Sequence, residues 1–157
     1  MGIVFDGGLA RYVCAPDDLL FRRPSGLSDA EAAATPEAFI TAHDALRQCG
    51  LEAGESVLIT GASGNVGIAA VQIAKSWGAR VWGGVRSANA AALVAEYGVR
   101  PAMSWGTATS QVQADSIDVV VELVGGVNAR NDLAALAPRG RMVFVAAKGD
   151  EDLVLPL

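Results

Sequence analysis

The chain has 157 residues, of which 52% are hydrophobic and only 18% charged, and its formal net charge is −5. A single domain of this length buries about two-thirds of its unfolded surface. The acidic balance and the lack of any run of Lys and Arg exclude a nucleic-acid-binding face, and every apolar run is too short to cross a bilayer.

The first 26 residues differ from the rest. Leu9 to Ala15 is expected as a strand after the Gly7-Gly8 turn, and Pro16 and Pro24-Ser25-Gly26 punctuate the stretch after it. Ser28-Asp29-Ala30-Glu31 is a capping box, and Thr35-Pro36 is expected to restart a helix that ends at Gly50. Ser56 to Thr60 is a buried strand. The helix after it places Val66, Ala70, Ile73 and Trp77 on one face and stops at Gly78. Arg80 to Val85 is a second strand, and Ser87 caps a helix carrying Leu93, Val94 and Tyr97. Pro101 to Trp105 is a short third strand, and residues 107–115 are expected as a helix. Ile117 to Val124 is the most apolar strand. A helix through Leu133 and Leu136 stops near Pro138, and Arg141 to Ala147 makes the fifth strand. Such alternation predicts an α/β fold, a Rossmann-type doubly wound parallel sheet of about five strands. Cys14 and Cys49 stand apart, without a CxxC pair or neighbouring His, and read as buried small hydrophobes. With no signal-peptide pattern, and Asp6 where myristoylation needs Ser or Thr, a cytoplasmic setting is expected.

The turn Ala62-Ser63-Gly64-Asn65-Val66-Gly67 carries the chemistry. It matches the dinucleotide-binding spacing with Ala62 at the first glycine position, and its context is a strand before and an amphipathic helix after. In that pattern the first position makes the tight turn and Gly64 lets the backbone approach a pyrophosphate. Gly67 lets the helix pack closely on the strand. The phosphates would meet free amides at the positive end of the helix dipole.

Cofactor choice is read at the end of the second strand. An NAD site usually has an acid there, but none appears before Glu96. Arg86 and Ser87 could hold a 2′-phosphate instead, which favours NADP(H) over NAD(H). Equally, Arg86 could be a solvated charge and Ser87 only a helix cap. In a doubly wound sheet, Val124-Gly125-Gly126 and Val145-Ala146-Ala147 lie at strand carboxyl ends, beside the ribose and nicotinamide of such a cofactor.

Several segments together resemble the medium-chain dehydrogenase/reductase superfamily, in its zinc-independent quinone oxidoreductase branch. They are Gly7-Gly8-Leu9-Ala10-Arg11-Tyr12-Val13, the run from Pro24 to Ala34, Thr41-Ala42, the run from Glu55 to Gly67, and Asp118 to Gly126. The resemblance implies that Thr41, Ser63 to Val66, Arg86, Ser87, Val124 and Val145 touch NADP(H). It also implies departures. The branch often has a Lys after the second strand and a Tyr after the third, where this chain has Ala90 and Trp105. Trp105 could stack on the adenine or serve as a core aromatic. Glu37 stands where zinc-dependent relatives have a Cys ligand, and His43 is the only His, so no metal site is expected. Residues 1–26 then read as the remnant of a barrel-like N-terminal catalytic domain and residues 27–157 as an incomplete dinucleotide-binding domain, so that the chain reads as shortened at both ends.

Two functions are compatible with these residues. One is hydride transfer from NADP(H) to a small-molecule quinone or enone. The other is a non-catalytic nucleotide-binding module, since no general acid or nucleophile stands out. A short-chain dehydrogenase is rejected, because Asn65 replaces that family's Gly and no Tyr-x-x-x-Lys pair is present. A bare sheet edge at the fifth strand is expected to pair in a homo-oligomer.

Overall fold

The structure, a computed structural model, describes residues 7–103 and 112–146. The expected features at Trp105, most of 107–115, Ala147 and the C-terminal tail lie outside the described residues. Two compact units divide between Thr35 and Pro36.

In the first unit, Leu9 to Ala15 forms no strand but a run of bends, and a 3-10 turn follows at Asp17–Leu19. A strand needs a neighbour to bond its amides, and no described residue pairs with this segment. Leu9, Tyr12 and Phe21 are exposed, and so is Cys14, which is therefore not the buried residue expected. The capping box is present. The Ser28 amide donates to Glu31 Oε2 at 2.9 Å, and the Glu31 amide donates to Ser28 Oγ at 3.3 Å. Both contacts with Ser28 hold the Glu31 carboxyl below its ordinary pKa.

Helix α1 runs Asp29–Gln48 without a restart, with Pro36 inside it. Thr35 does not cap a new helix there, because its hydroxyl donates back to the Glu31 carbonyl at 2.8 Å. At the other end, Gly50 takes φ +57. Its amide reaches Arg47 O, and the Leu51 amide reaches Leu46 O, which satisfies the last carbonyls of the helix.

The second unit holds a five-stranded parallel sheet in the order β3-β2-β1-β4-β5. The strands are β1 (Ser56–Thr60), β2 (Arg80–Val85), β3 (Arg100–Met103), β4 (Ile117–Glu122) and β5 (Leu136–Phe144). Between them lie α2 (Asn65–Ser76), α3 (Ala88–Glu96) and α4 (Ala129–Ala135). Alternation along the strands separates two cores. Val57, Ile59, Val119 and Val121 share one with Ala42 and Leu46 of α1, Ala70 and Ala74 of α2 and Val94 of α3. Leu58 and Val120 share the other with Ile117, Ala102 and Ala135. Every residue of β1 is buried, as befits a strand covered on both faces.

Two details differ from expectation. The most buried stripe of α2 is Gly67, Ala70, Val71 and Ala74, while Val66, Ile73 and Trp77 flank it half-buried. Small residues let the helix lie close to the sheet, so they take the centre of the contact. The helix expected through Leu136 stops at Ala135, and β5 begins at once. The ring of Pro138 disfavours a helical conformation at Ala137. The strand then bulges, the register jumping from Ile117↔Leu136 to Val119↔Arg141, with Arg139 at φ +67.

Arg141 ties this late strand to the beginning of the unit. Its guanidinium grips Glu55 through two 2.8 Å bonds and donates to the carbonyls of Cys49 and Gly50. Glu55→Gln is expected to lower stability by roughly 1 kcal/mol near neutral pH, the modest cost of a partly solvated pair. Hydrogen bonding to Arg141 pulls the Glu55 carboxyl below its ordinary 4.5. A lowered folded-state pKa stabilises above the unfolded value and is lost as the pH falls through the folded one. The thermal midpoints of wild type and variant therefore converge in acid, and a constant gap down to acid unfolding contradicts this account.

Candidate functional site

In the order 3-2-1-4-5 the chain reverses direction of travel across the sheet between β1 and β4, and ligands of such sheets bind beyond the strand carboxyl ends at that point. A cleft of about 580 Å³ opens there. Thr60, Gly61 and Ser63 line it from the exit of β1, and Val124, Val127 and Asn128 from the exit of β4. Gly84, Val85, Arg86, Ser87 and Ala90 close the third side, at the passage from β2 into α3.

The glycine-rich turn forms in a particular way. Gly61, not Ala62, takes the left-handed conformation, with φ +59, and an added Cβ there would lie 3.3 Å from Val124 Cγ2. Ala62 is fully buried. A Cβ at Gly67 would lie 2.5 Å from the Gly61 carbonyl oxygen and 2.7 Å from Ala62 Cα. Backbone cannot yield there, so only glycine fits. Gly64 is different. It is exposed, and its added Cβ would stand 3.3 Å from the Gly61 carbonyl oxygen. Internal packing thus demands far less of Gly64 than of Gly67. Helix α2 begins at Asn65 with neither a side-chain cap nor an acid in its first turn, leaving its positive end available to an anion.

The opposite wall is built by side chains at the strand ends. Thr60 Oγ1 accepts from the Leu123 amide at 2.9 Å. Glu122 is fully buried, and its Oε1 accepts from the amides of Val124 and Gly125. Its Oε2 accepts from Asn128 Nδ2 at 3.2 Å. Three successive amides are thus fixed, and Gly125 is held at φ +129, a conformation open to glycine.

The structure brings Ser63, Arg86, Ser87 and Val124 together at the cleft. Arg86 is exposed, while the Ser87 hydroxyl accepts from the Ala90 amide at 3.2 Å as the cap of α3. Asn65 and Val66 sit in the first turn of α2 beside it. Gly125 is turned to Glu122, and Val145 and Ala146 follow β5 half-buried, the Val145 amide bonded to Glu122 O at 2.9 Å. Thr41 lies on α1, its hydroxyl donating to Glu37 O at 2.8 Å, and is not part of the cleft lining. His43 packs edge-on against Trp77 with ring centroids 5.5 Å apart. Among the described residues, no three His, Cys, Asp or Glu side chains converge as metal ligands. Glu122 and Asn128 were not among the expected site residues. The signal for Glu122 was an acid straight after the apolar run Val119-Val120-Val121, which burial obliges to find donors.

A family model described as zinc-binding dehydrogenase matches residues 65–157. Human quinone oxidoreductase is 32% identical over 150 residues, covering 91% of this chain and 46% of its own length. The quinone oxidoreductase of Thermus thermophilus, solved alone and with NADPH, superposes with a TM-score of 0.75 at 35% identity, over 92% of this chain and 49% of that one. An NAD-dependent alcohol dehydrogenase superposes with a TM-score of 0.78 at 30% identity, over 88% of this chain and 42% of that one. The chain therefore spans about half the length of the relatives it matches.

Gly67→Ala is expected to cost about 2–3 kcal/mol through overpacking against fixed backbone, and Gly64→Ala less than about 1 kcal/mol. Denaturant unfolding of the two variants checks this. Equal losses would refute the contrast drawn between the two glycines.

Proposed function

The chain belongs to the zinc-binding dehydrogenase family, among the quinone oxidoreductase-like members of the medium-chain dehydrogenase/reductase superfamily, and we propose that its cleft holds NADP(H) for reduction of a quinone or activated enone. The observation that carries this reading is the uncapped start of α2, set by the Gly61–Gly67 approach and reached two residues after Ser63 of the cleft lining. The amides there and Ser63 suit a pyrophosphate. The crowding at Gly67 and the left-handed Gly61 match what a dinucleotide turn requires, so the residues present fit the cofactor. In this reading Ala62, Ser63, Gly64, Asn65, Val66 and Gly67 hold the diphosphate, and Val124, Gly125, Val145 and Ala146 flank the ribose and nicotinamide. Thr41 and Trp105 are further contacts implied by the family resemblance.

A nicotinamide held there supplies hydride transfer, and the protein orients it and keeps water out. Arg86 favours the phosphorylated form, since a guanidinium at the β2 exit meets a 2′-phosphate through charge-assisted bonds. The NADPH complex of the Thermus relative supports that choice, while the NAD-dependent relative is the counter-case to be tested. The zinc-free character, the cytoplasmic setting and self-association along the β5 edge belong to the same proposal. So does the assignment of residues 1–26 to a preceding catalytic domain, whose exposed Leu9, Tyr12 and Phe21 call for a covering surface.

A second reading, binding without turnover, is favoured by the cleft's own chemistry. Its described lining contains Arg86, Ser63, Ser87 and Thr60 but no carboxylic acid, His, Lys or Tyr to donate a proton. Quinone reduction assays on the purified chain separate the two readings.

Fluorescence titrations test the cofactor assignment. Arg86→Ala is expected to weaken NADPH about tenfold and NADH less than about twofold. A wild-type protein that binds neither nucleotide overturns the reading.

A further inference from the structure

A second cleft of about 540 Å³ lies at the opposite end of the sheet, where β1 and β2 begin. Lys75, Arg80 and Arg100 all line it, with Ser56 and Trp82 between them, and no acidic side chain lines it among the described residues. Nothing in the primary order announces this cluster. The fold gathers these three cations from the end of α2 and the starts of β2 and β3.

Each cation is oriented by neutral groups. Arg80 donates from Nε and Nη2 to Ser56 Oγ at 3.2 and 3.0 Å. Arg100 sits over the Trp82 ring, its Cζ 5.5 Å from the ring centroid, because β2 and β3 place the two residues directly opposite in register. Lys75 Nζ donates to the carbonyls of Tyr97 and Gly98 at the end of α3. The nearby Asp118 carboxylate accepts from the Ser56 amide at 2.7 Å and is not part of the lining. Hydroxyl, ring and carbonyl partners aim these three charges without neutralising them. In a chain of net charge −5, like charges held together this way are stabilised by an anion between them.

We propose that this cleft is an anion-binding site, distinct from the nucleotide cleft, for a small multiply charged molecule carrying phosphate or carboxylate groups. Its volume falls within the range of small-molecule sites, and it is a single pocket rather than a basic stripe able to follow a polymer. Arginine forks suit either anionic group, so the probes must tell the two apart.

Inorganic pyrophosphate and citrate, each titrated into the full chain by calorimetry and by tryptophan fluorescence, supply the test. Saturable binding of at least one is expected, weakening as ionic strength rises, and the stronger of the two identifies the group. The double variant Arg80→Ala/Arg100→Ala should bind at least tenfold more weakly, while Arg86→Ala stays within twofold of wild type. Lys75→Gln, at an exposed helix position, should weaken binding severalfold without disturbing Ser56 or Trp82, and it serves if the double variant does not fold. Absence of saturable binding for both anions overturns the proposal, even if an acidic peptide binds in their place. So does full retention in the Lys75 variant, or a loss caused by Arg86→Ala alone, which would place the anion at the β2 exit in the nucleotide cleft.

Discussion

At the start of α2 the helix backbone comes so near the end of β1 that position 67 has room for a hydrogen atom and nothing larger. That approach sets the geometry of the whole carboxyl end of the sheet. It presses the first turn of the helix onto Gly61 and Ala62, and so aims the unpaired amides of that turn over the strand exits. The neighbouring strand follows the same rule. A Cβ at Gly84 would stand 3.2 Å from Thr60 Cα, and one at Gly83 would stand 3.1 Å from Ala62 Cβ. Consecutive glycines normally weaken a strand. Here they let β2 and α3 close on the turn, which brings Arg86 and Ser87 to the same cleft.

The facing wall uses the opposite strategy, polar side chains in place of missing ones. Thr60 and Glu122 end adjacent strands, and between them they bind the amides of Leu123, Val124 and Gly125. A buried acid without donors would be costly. With two backbone amides and Asn128, Glu122 instead becomes the brace of a loop that hydrophobic packing could not hold. The cleft is therefore shaped on one side by close backbone contact with β1 and on the other by a small polar network shared between β1 and β4.

Much of this was legible in the order of residues. The buried strands β1, β2 and β4 announce themselves as apolar runs. Gly50 and Gly78 mark helix ends because each must take positive φ. Local patterns failed where a distant contact decides. Leu136 continues a helical spacing, yet pairing with Ile117 draws it into a strand. Leu9 to Ala15 has the composition of a strand but no described neighbour to bond, and it stays irregular. Pro36 looks like a first-turn residue, but Thr35 returns its hydroxyl to Glu31 and the helix continues. The site shows the same division. The turn from Gly61 to Gly67 is contiguous and could be read directly. The cluster of Lys75, Arg80 and Arg100 exists only once β2 and β3 lie side by side.

The fork made by Arg141 has a further consequence, for the order in which the protein is built. Its partners Cys49 and Glu55 precede it by 92 and 86 positions. During synthesis the junction between α1 and β1 leaves the ribosome long before the residue that secures it. The early helices and strands can collapse on one another through short-range contacts, but this latch stays open until β5 arrives. The junction between α1 and β1 is thus secured only when β5 arrives, by a strand that carries the key to a lock made earlier.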